Sequence, residues 1–216
     1  SVVNNTNVLA SGKNNIALYG KNGSTITNNA DINMGTEYGN IGIYTEDAST
    51  LAKNYGKITV GSSNMMTSEY SIGMAASNGS TIENHNDIYV TGSNSIGMYG
   101  DGIGTKVYNY GKIYLDATGA SSTNPKNQMV GIYLDNGAYG ENWGDIKTLS
   151  NYASNTYVST LVGVSVQRGS IFENHGNIDI KSDNGVGIYV NNGIIKNYGS
   201  ITVTGDNSTG VKYKNG

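Results

Sequence analysis

Seven asparagines carry the most regular chemistry in the chain. Asn28, Asn54, Asn84, Asn109, Asn142, Asn174 and Asn197 each open a five-residue phrase that ends in Ile: NNADI, NYGKI, NHNDI, NYGKI, NWGDI, NHGNI and NYGSI. A primary amide donates and accepts at once. Asparagines stacked one above another therefore bond into a ladder, as in cross-β stacks. That chemistry is structural. The next residue in each phrase is Asn29, Tyr55, His85, Tyr110, Trp143, His175 or Tyr198. Stacked, these residues make an outward aromatic stripe. Packing between its own rings is expected first, and a platform for sugar rings is the alternative. His85 and His175 fall in separate units with Trp143 between them, so no shared metal site is expected.

Nothing in the sequence assembles a reaction centre. Asp31, Asp87, Asp145, Asp179 and Asp206 are scattered over different units, and Lys57 and Lys112 alternate with acids at one repeat position. Hydrolysis or elimination on a polysaccharide needs a convergent acid pair or a basic partner. No catalytic residue is therefore named, and a polysaccharide-active enzyme is the remote alternative. There is no Cys, which removes disulfides, thiolate metal sites and thiol nucleophiles. No cofactor is implied. Net charge is −3 with a single Arg, Arg168, which argues against nucleic-acid binding. No apolar run reaches the roughly 18 residues of a spanning helix. Sequons at Asn4, Asn22, Asn78 and Asn207 mean little in so Asn-rich a chain.

The elements that hold these residues follow from the period. A second phrase, IALY, IGIY, IGMA, IGMY, VGIY, VGVS, VGIY and TGVK, begins 11 to 13 residues before each ladder position. A third, weaker one pairs a small or polar residue with an apolar one, as in Thr25-Ile26 and Thr81-Ile82, and has no clear version near Tyr139-Gly140. Each unit thus holds three short alternating runs, which read as strands with one buried face. In I-G-I-Y the two aliphatics are expected on the core face, with Gly and Tyr outside. The corner Gly is expected at positive φ, and Ala30 and Asn86 in its place make two corners imperfect. Three strands per unit predict a right-handed parallel β-helix of about seven to eight coils. At roughly 4.8 Å per coil the rod is about 35 Å long. One coil buries about five aliphatic side chains, roughly 1.5–3 kcal/mol each. Ordering about 25 residues costs several times that. Coils must therefore stack to be stable.

Residues 1–216 read as one such segment. Ser1 falls just before a unit and Gly216 inside one, so the chain reads as a piece of a longer array, with strand edges at its ends. The distance from the corner Ile to the next aliphatic-Gly phrase is 8 or 9 in four units and 14, 17 and 16 in the others. Three insertions, 59–71, 114–129 and 147–161, therefore leave one corner. Their Tyr70, Tyr114, Tyr152 and Tyr157 are the candidate binding residues, because Tyr, Asn and Ser on loops make adaptable contact surfaces. The competing reading treats these loops as solvated decoration on a pure spacer.

The repeated IGIY…STI.NYG.I.V.G units, rich in Asn, Gly and Tyr and free of Cys, resemble the passenger domains of large fusobacterial type Va autotransporter adhesins over residues 8–213. The resemblance implies a monomeric secreted passenger on the Gram-negative cell surface, held by a C-terminal outer-membrane barrel that this chain does not include. It further implies a host-cell or bacterial receptor or glycan as partner. A trimeric adhesin head is a poorer match, because its coils are about half as long.

Overall fold

A computed structural model describes residues 1–214 of the protein. The chain winds as a right-handed parallel β-helix with three strands per turn, and there is no α-helix among the described residues. Each turn places one strand in each of three eight-stranded parallel sheets. The first sheet runs from Val2–Asn4 to Ile194–Asn197, the second from Val8–Leu9 to Ser200–Thr204, and the third from Ile16–Gly20 to Thr209–Lys214. Equivalent residues stand directly above one another, as in Asn84↔Asn109↔Asn142 and Ile58↔Ile88↔Ile113.

The corner isoleucines Ile32, Ile58, Ile88, Ile113, Ile146 and Ile178 are fully buried and form the spine of the core. The third-sheet phrase is built differently from the simple alternation read off the sequence. Its second aliphatic enters the core, as Ile43, Met98, Ile132 and Ile188 do. Its first aliphatic faces outward: Ile72 and Ile96 pack with Ala75, Ile41, Tyr44, Tyr99, Val130 and Tyr133 in a separate cluster outside the core. The intervening Gly points inward. A Cβ on Gly97 would lie 2.8 Å from Ile113 Cγ2 and 2.6 Å from the Gly131 carbonyl oxygen. Two successive inward positions break the period of two, and only a residue without a side chain permits that.

The corners also depart from expectation. Positive φ occurs at turns elsewhere, such as Asn22-Gly23 and Asn78-Gly79, and not at the corner glycines or ladder asparagines. Close backbone approach is what demands Gly there: a Cβ on Gly111 would meet Asn86 N at 2.6 Å, and one on Gly176 would meet Trp143 C at 2.8 Å. Asn86, where other corners have Gly, uses its side chain to donate to the Tyr55 carbonyl at 2.6 Å.

The unit around Tyr139-Gly140 is complete. Tyr139–Asn142 pairs in register with Lys106–Asn109 and Ile171–Asn174. Its apolar residue is supplied from the third sheet. Leu134 stands where the preceding turn has Gly100, and its Cδ1 fills the space over Gly140, 2.7 Å from where a Cβ would be. In the preceding turn the sizes are reversed, with Gly100 beneath Val107. Core volume is kept by exchange between sheets, in line with close packing of interiors.

Strand pairing continues through Val60, Leu115 and Thr148, so the irregular chain of the three long connections begins at 61, 116 and 149. All three run from the second sheet to the third. Ala117, Met129, Tyr152, Val158 and Leu161 from these connections are buried in the main core cluster. Lys126–Asn127 pairs with Val158–Ser159 in a parallel two-stranded ribbon that ties the second connection to the third.

Candidate ligand-binding groove

The asparagine ladder positions everything above it. Each side-chain Nδ2 donates to Oδ1 of the next asparagine at 2.7–2.9 Å, from Asn4 through Asn28, Asn54, Asn84, Asn109, Asn142 and Asn174 to Asn197. From Asn28 to Asn197 the side-chain nitrogen also donates at 2.6–3.1 Å to the carbonyl two residues on, closing each corner. Asn4 lies outside the N-x-G-x-I pattern and joins the ladder through backbone register alone.

The residues that follow the ladder stack with one another. Tyr55, His85 and Tyr110 form one stack at 4.7 and 4.9 Å between ring centroids. Trp143, His175 and Tyr198 form a second at 4.0 and 4.9 Å. Within each stack the central histidine has both faces covered, and each terminal ring has one. No group of three or more His, Cys, Asp or Glu suited to a metal exists among the described residues.

The third sheet offers a different surface. Six successive strands, from Ile72–Ser77 to Thr209–Lys214, carry a groove on their outer face. At about 4.8 Å per strand it runs roughly 24 Å along the rod. One part encloses about 370 Å³ over Ile96, Val130, Val162 and Val186. An adjoining part encloses about 350 Å³ over Ile72, Ile96, Tyr99 and Tyr133. Met65 and Tyr70 from the first long connection border both parts. Asn94, Gln128 and Thr160 add polar groups to the larger one.

The floor has a gap. The outward tyrosine column reads Tyr99, Tyr133, Ser165, Tyr189, with Tyr99 and Tyr133 in contact at 5.7 Å. At Ser165 the ring is missing, and Tyr133 and Tyr189 flank the space. Ser165 Oγ accepts from Gln167 Nε2 at 2.8 Å, and Asn191 Nδ2 donates to Gln167 Oε1 at 3.1 Å, so the polar atoms at the bottom are held in place. Burial, then Asp101, holds the Tyr99 phenol well above its usual range, and burial, then Asp135, raises that of Tyr133. Both rings are neutral stacking surfaces at physiological pH. The smaller part ends at Arg168, whose Nε donates to Asp135 Oδ1 at 2.6 Å and whose Nη2 pairs with Oδ2. Asp135 is buried and Arg168 is exposed.

Of the four loop tyrosines, only Tyr70 borders the groove. Tyr114 lies on the outer face of the second sheet, stacked on Tyr89 at 4.7 Å with Lys147 Nζ 5.5 Å from its ring centroid. Tyr152 is 6 % exposed, with its hydroxyl 3.3 Å from Thr118 Oγ1, so its ring is a core element and not a contact surface. Tyr157 is exposed away from the groove. Sequence reasoning missed the outward column Ile96, Val130, Val162 and Val186, because strict alternation assigns those side chains to the core. The interruption of the Tyr column at Ala75 and Ser165 was the available signal.

Comparison with known proteins yields one family: the model described as BigA third pectate lyase-like domain matches residues 1–145. No curated protein and no solved structure matches the chain.

Proposed function

The chain belongs to the BigA third pectate lyase-like domain family, and on that footing we propose that it is a non-enzymatic segment of a surface adhesin, holding its ligand in the groove over the third sheet. The family points to a β-helical autotransporter or adhesin passenger region. The cysteine-free repeats rich in Asn, Gly and Tyr support the finer reading: a type Va autotransporter of fusobacterial type, displayed at the outer membrane as a monomer. Its partner in this reading is a receptor or glycan on a host cell or another bacterium. The observation that carries the reading is the groove itself: an apolar floor with a gap in its tyrosine column, edged by the neutral hydrogen-bonding side chains of Asn94, Gln128 and Thr160, with Lys212 at one end and the Arg168–Asp135 pair at the other. Such a lining suits a ligand with flat apolar faces and polar edges. Among the described residues the only carboxylate bordering it, Asp135, is bound to Arg168, which supports recognition over hydrolysis or elimination.

The test compares binding of the labelled chain and a Ser165→Tyr variant to epithelial cells and to partner bacteria. The substitution supplies the missing ring between Tyr133 and Tyr189 and fills the larger part of the groove. The reading expects the parent chain to bind and the variant to bind at least about tenfold more weakly, with unchanged far-ultraviolet circular dichroism; a tenfold loss corresponds to about 1.4 kcal/mol. A folded parent chain that binds neither cell type would make the segment a spacer. Equal binding by both chains would move the site off the groove.

A further inference from the structure

The aromatic stripe on the first sheet is broken once, and the break has the composition of a cation site. Every neighbouring pair from Tyr55 to Tyr198 stacks at 4.0–4.9 Å except Tyr110 and Trp143, which make no ring contact. Tyr110 instead associates sideways with Tyr108, at 6.3 Å and 20° between planes. Tyr108 meets Tyr139 edge-on at 6.4 Å and 67°. Trp143 is covered on one face by His175, is 51 % exposed, and has no stacking partner on its other face among the described residues.

One carboxylate stands at this break. Tyr108 is paired in register with Glu141 of the next turn. Glu141 Oε1 accepts from the Tyr139 hydroxyl at 2.6 Å, and Oε2 accepts from Trp143 Nε1 at 2.7 Å. Glu141 is thus fixed between two rings by neutral donors. The other acids on this column are neutralised: Glu83 by Lys53 at 3.2 Å and Glu173 by Lys196 at 3.0 Å. Among the described residues no cationic nitrogen lies within 4.0 Å of Glu141, and none lies over Trp143. The charge of Glu141 reaches both tyrosines across the gap: after burial it raises the Tyr108 phenol, and after burial and Glu83 it raises that of Tyr110.

We propose that the break bounded by Tyr108, Tyr110, Glu141 and Trp143 binds a quaternary ammonium group. An indole face is the best aromatic surface for a cation, and a nearby carboxylate supplies the counter-charge. The class of cation follows from the hydrogen bonds. Each carboxylate oxygen already accepts one bond, which leaves about two acceptor positions on the pair, and the rings offer few more. A primary ammonium, with three N–H donors to satisfy, is poorly served. A quaternary ammonium needs charge and ring contact alone. The site lies on a different sheet from the groove and does not depend on it.

Trp143 is the chain's single tryptophan, so fluorescence excited beyond the absorption band of neutral tyrosine reports this site and no other. The purified chain is titrated with tetramethylammonium and choline, against sodium chloride at equal ionic strength, a methyl glycoside and n-butylammonium. Saturable fluorescence change with the two quaternary ions, half-complete on the order of millimolar, is the expected result. Glu141→Gln removes the charge and keeps an oxygen acceptor; it should weaken the response at least about fivefold. Tyr108→Leu should also weaken it and serves if the first variant does not fold. Absence of a saturable change beyond that of sodium chloride, an undiminished response in folded Glu141→Gln, or equal binding of n-butylammonium each overturns the proposal. Co-sedimentation with phosphatidylcholine vesicles but not with phosphatidylglycerol vesicles assigns the group to a lipid head; response to choline without co-sedimentation assigns it to a non-lipid carrier.

Discussion

At the scale of single residues, the ladder shows why one amino-acid type recurs where its neighbours vary. Asn109 is fully buried and takes part in three side-chain bonds: it accepts from Asn84 and donates to Asn142 and to the Gly111 carbonyl. Asn109→Ala leaves those partners short of bonds inside the fold, and one unsatisfied buried group costs about 1–3 kcal/mol. A loss of roughly 2–4 kcal/mol in urea unfolding is expected. Asn4, half-buried at the start of the ladder, donates to Asn28 only. Asn4→Ala should cost under about 1 kcal/mol. Equal losses at both positions would show that the corner bond and the second ladder bond, which Asn4 lacks, add nothing to stability. The ladder was legible in the sequence because amide chemistry and the repeat both mark the same letter. Trp143 and Glu141 were not legible as a unit, because the break depends on a sideways shift of Tyr110 that no spacing records.

At the scale of the element, the third-sheet strand is where pattern and structure part. Helical coiling with three strands could be read from the period alone, since each run is short, apolar on one side and returns in step. The groove could not. It exists because the aliphatic before each Gly turns outward, and that turn comes from backbone bending at a residue with no side chain. Gly97→Ala tests this directly. The added methyl would press on both the Gly131 carbonyl and Ile113 Cγ2. Overpacking of this kind costs typically 1–3 kcal/mol, and a backbone oxygen yields less readily than a side chain. About 3 kcal/mol in urea unfolding, together with displacement of the Tyr99–Tyr133 pair, is the expected outcome. A methyl accommodated at under about 0.5 kcal/mol would mean that the bend is not imposed by that close approach. The Leu134–Gly140 exchange makes the same point about legibility. A unit that looks defective along the chain is complete once the side chain facing it from another sheet is counted.

At the scale of the whole molecule, a cysteine-free rod held by stacking carries many of its aromatic groups as half-buried phenols, and this sets its response to pH. Burial is the first cause that raises the phenols of Tyr99, Tyr108, Tyr110, Tyr133, Tyr139 and Tyr152 above their usual range. In the unfolded chain these groups titrate near pH 10. Between that value and their higher folded values the native state binds more protons than the unfolded one. Stability is therefore constant in this respect below about pH 10 and falls as pH rises above it. Carboxylates work in the opposite sense. Glu69 and Glu173 are lowered, first by hydrogen bonds from Thr67 and Lys196 respectively, so their contribution is lost as pH falls. Both are solvent-accessible to a degree that keeps this acid-side loss small. The rod should thus tolerate mild acid and unfold on the alkaline side. Urea midpoints measured from pH 4 to 11.5 should stay level to about pH 10 and then drop, with tyrosinate absorbance near 295 nm rising in step with unfolding rather than ahead of it. Substituting Tyr139 by Phe should soften the alkaline drop, because it removes a strongly raised phenol while keeping the ring beside Tyr108. Tyrosinate absorbance that rises fully near pH 10 while the chain stays folded would show that the tyrosine columns are open to solvent and contribute little to holding the coils together.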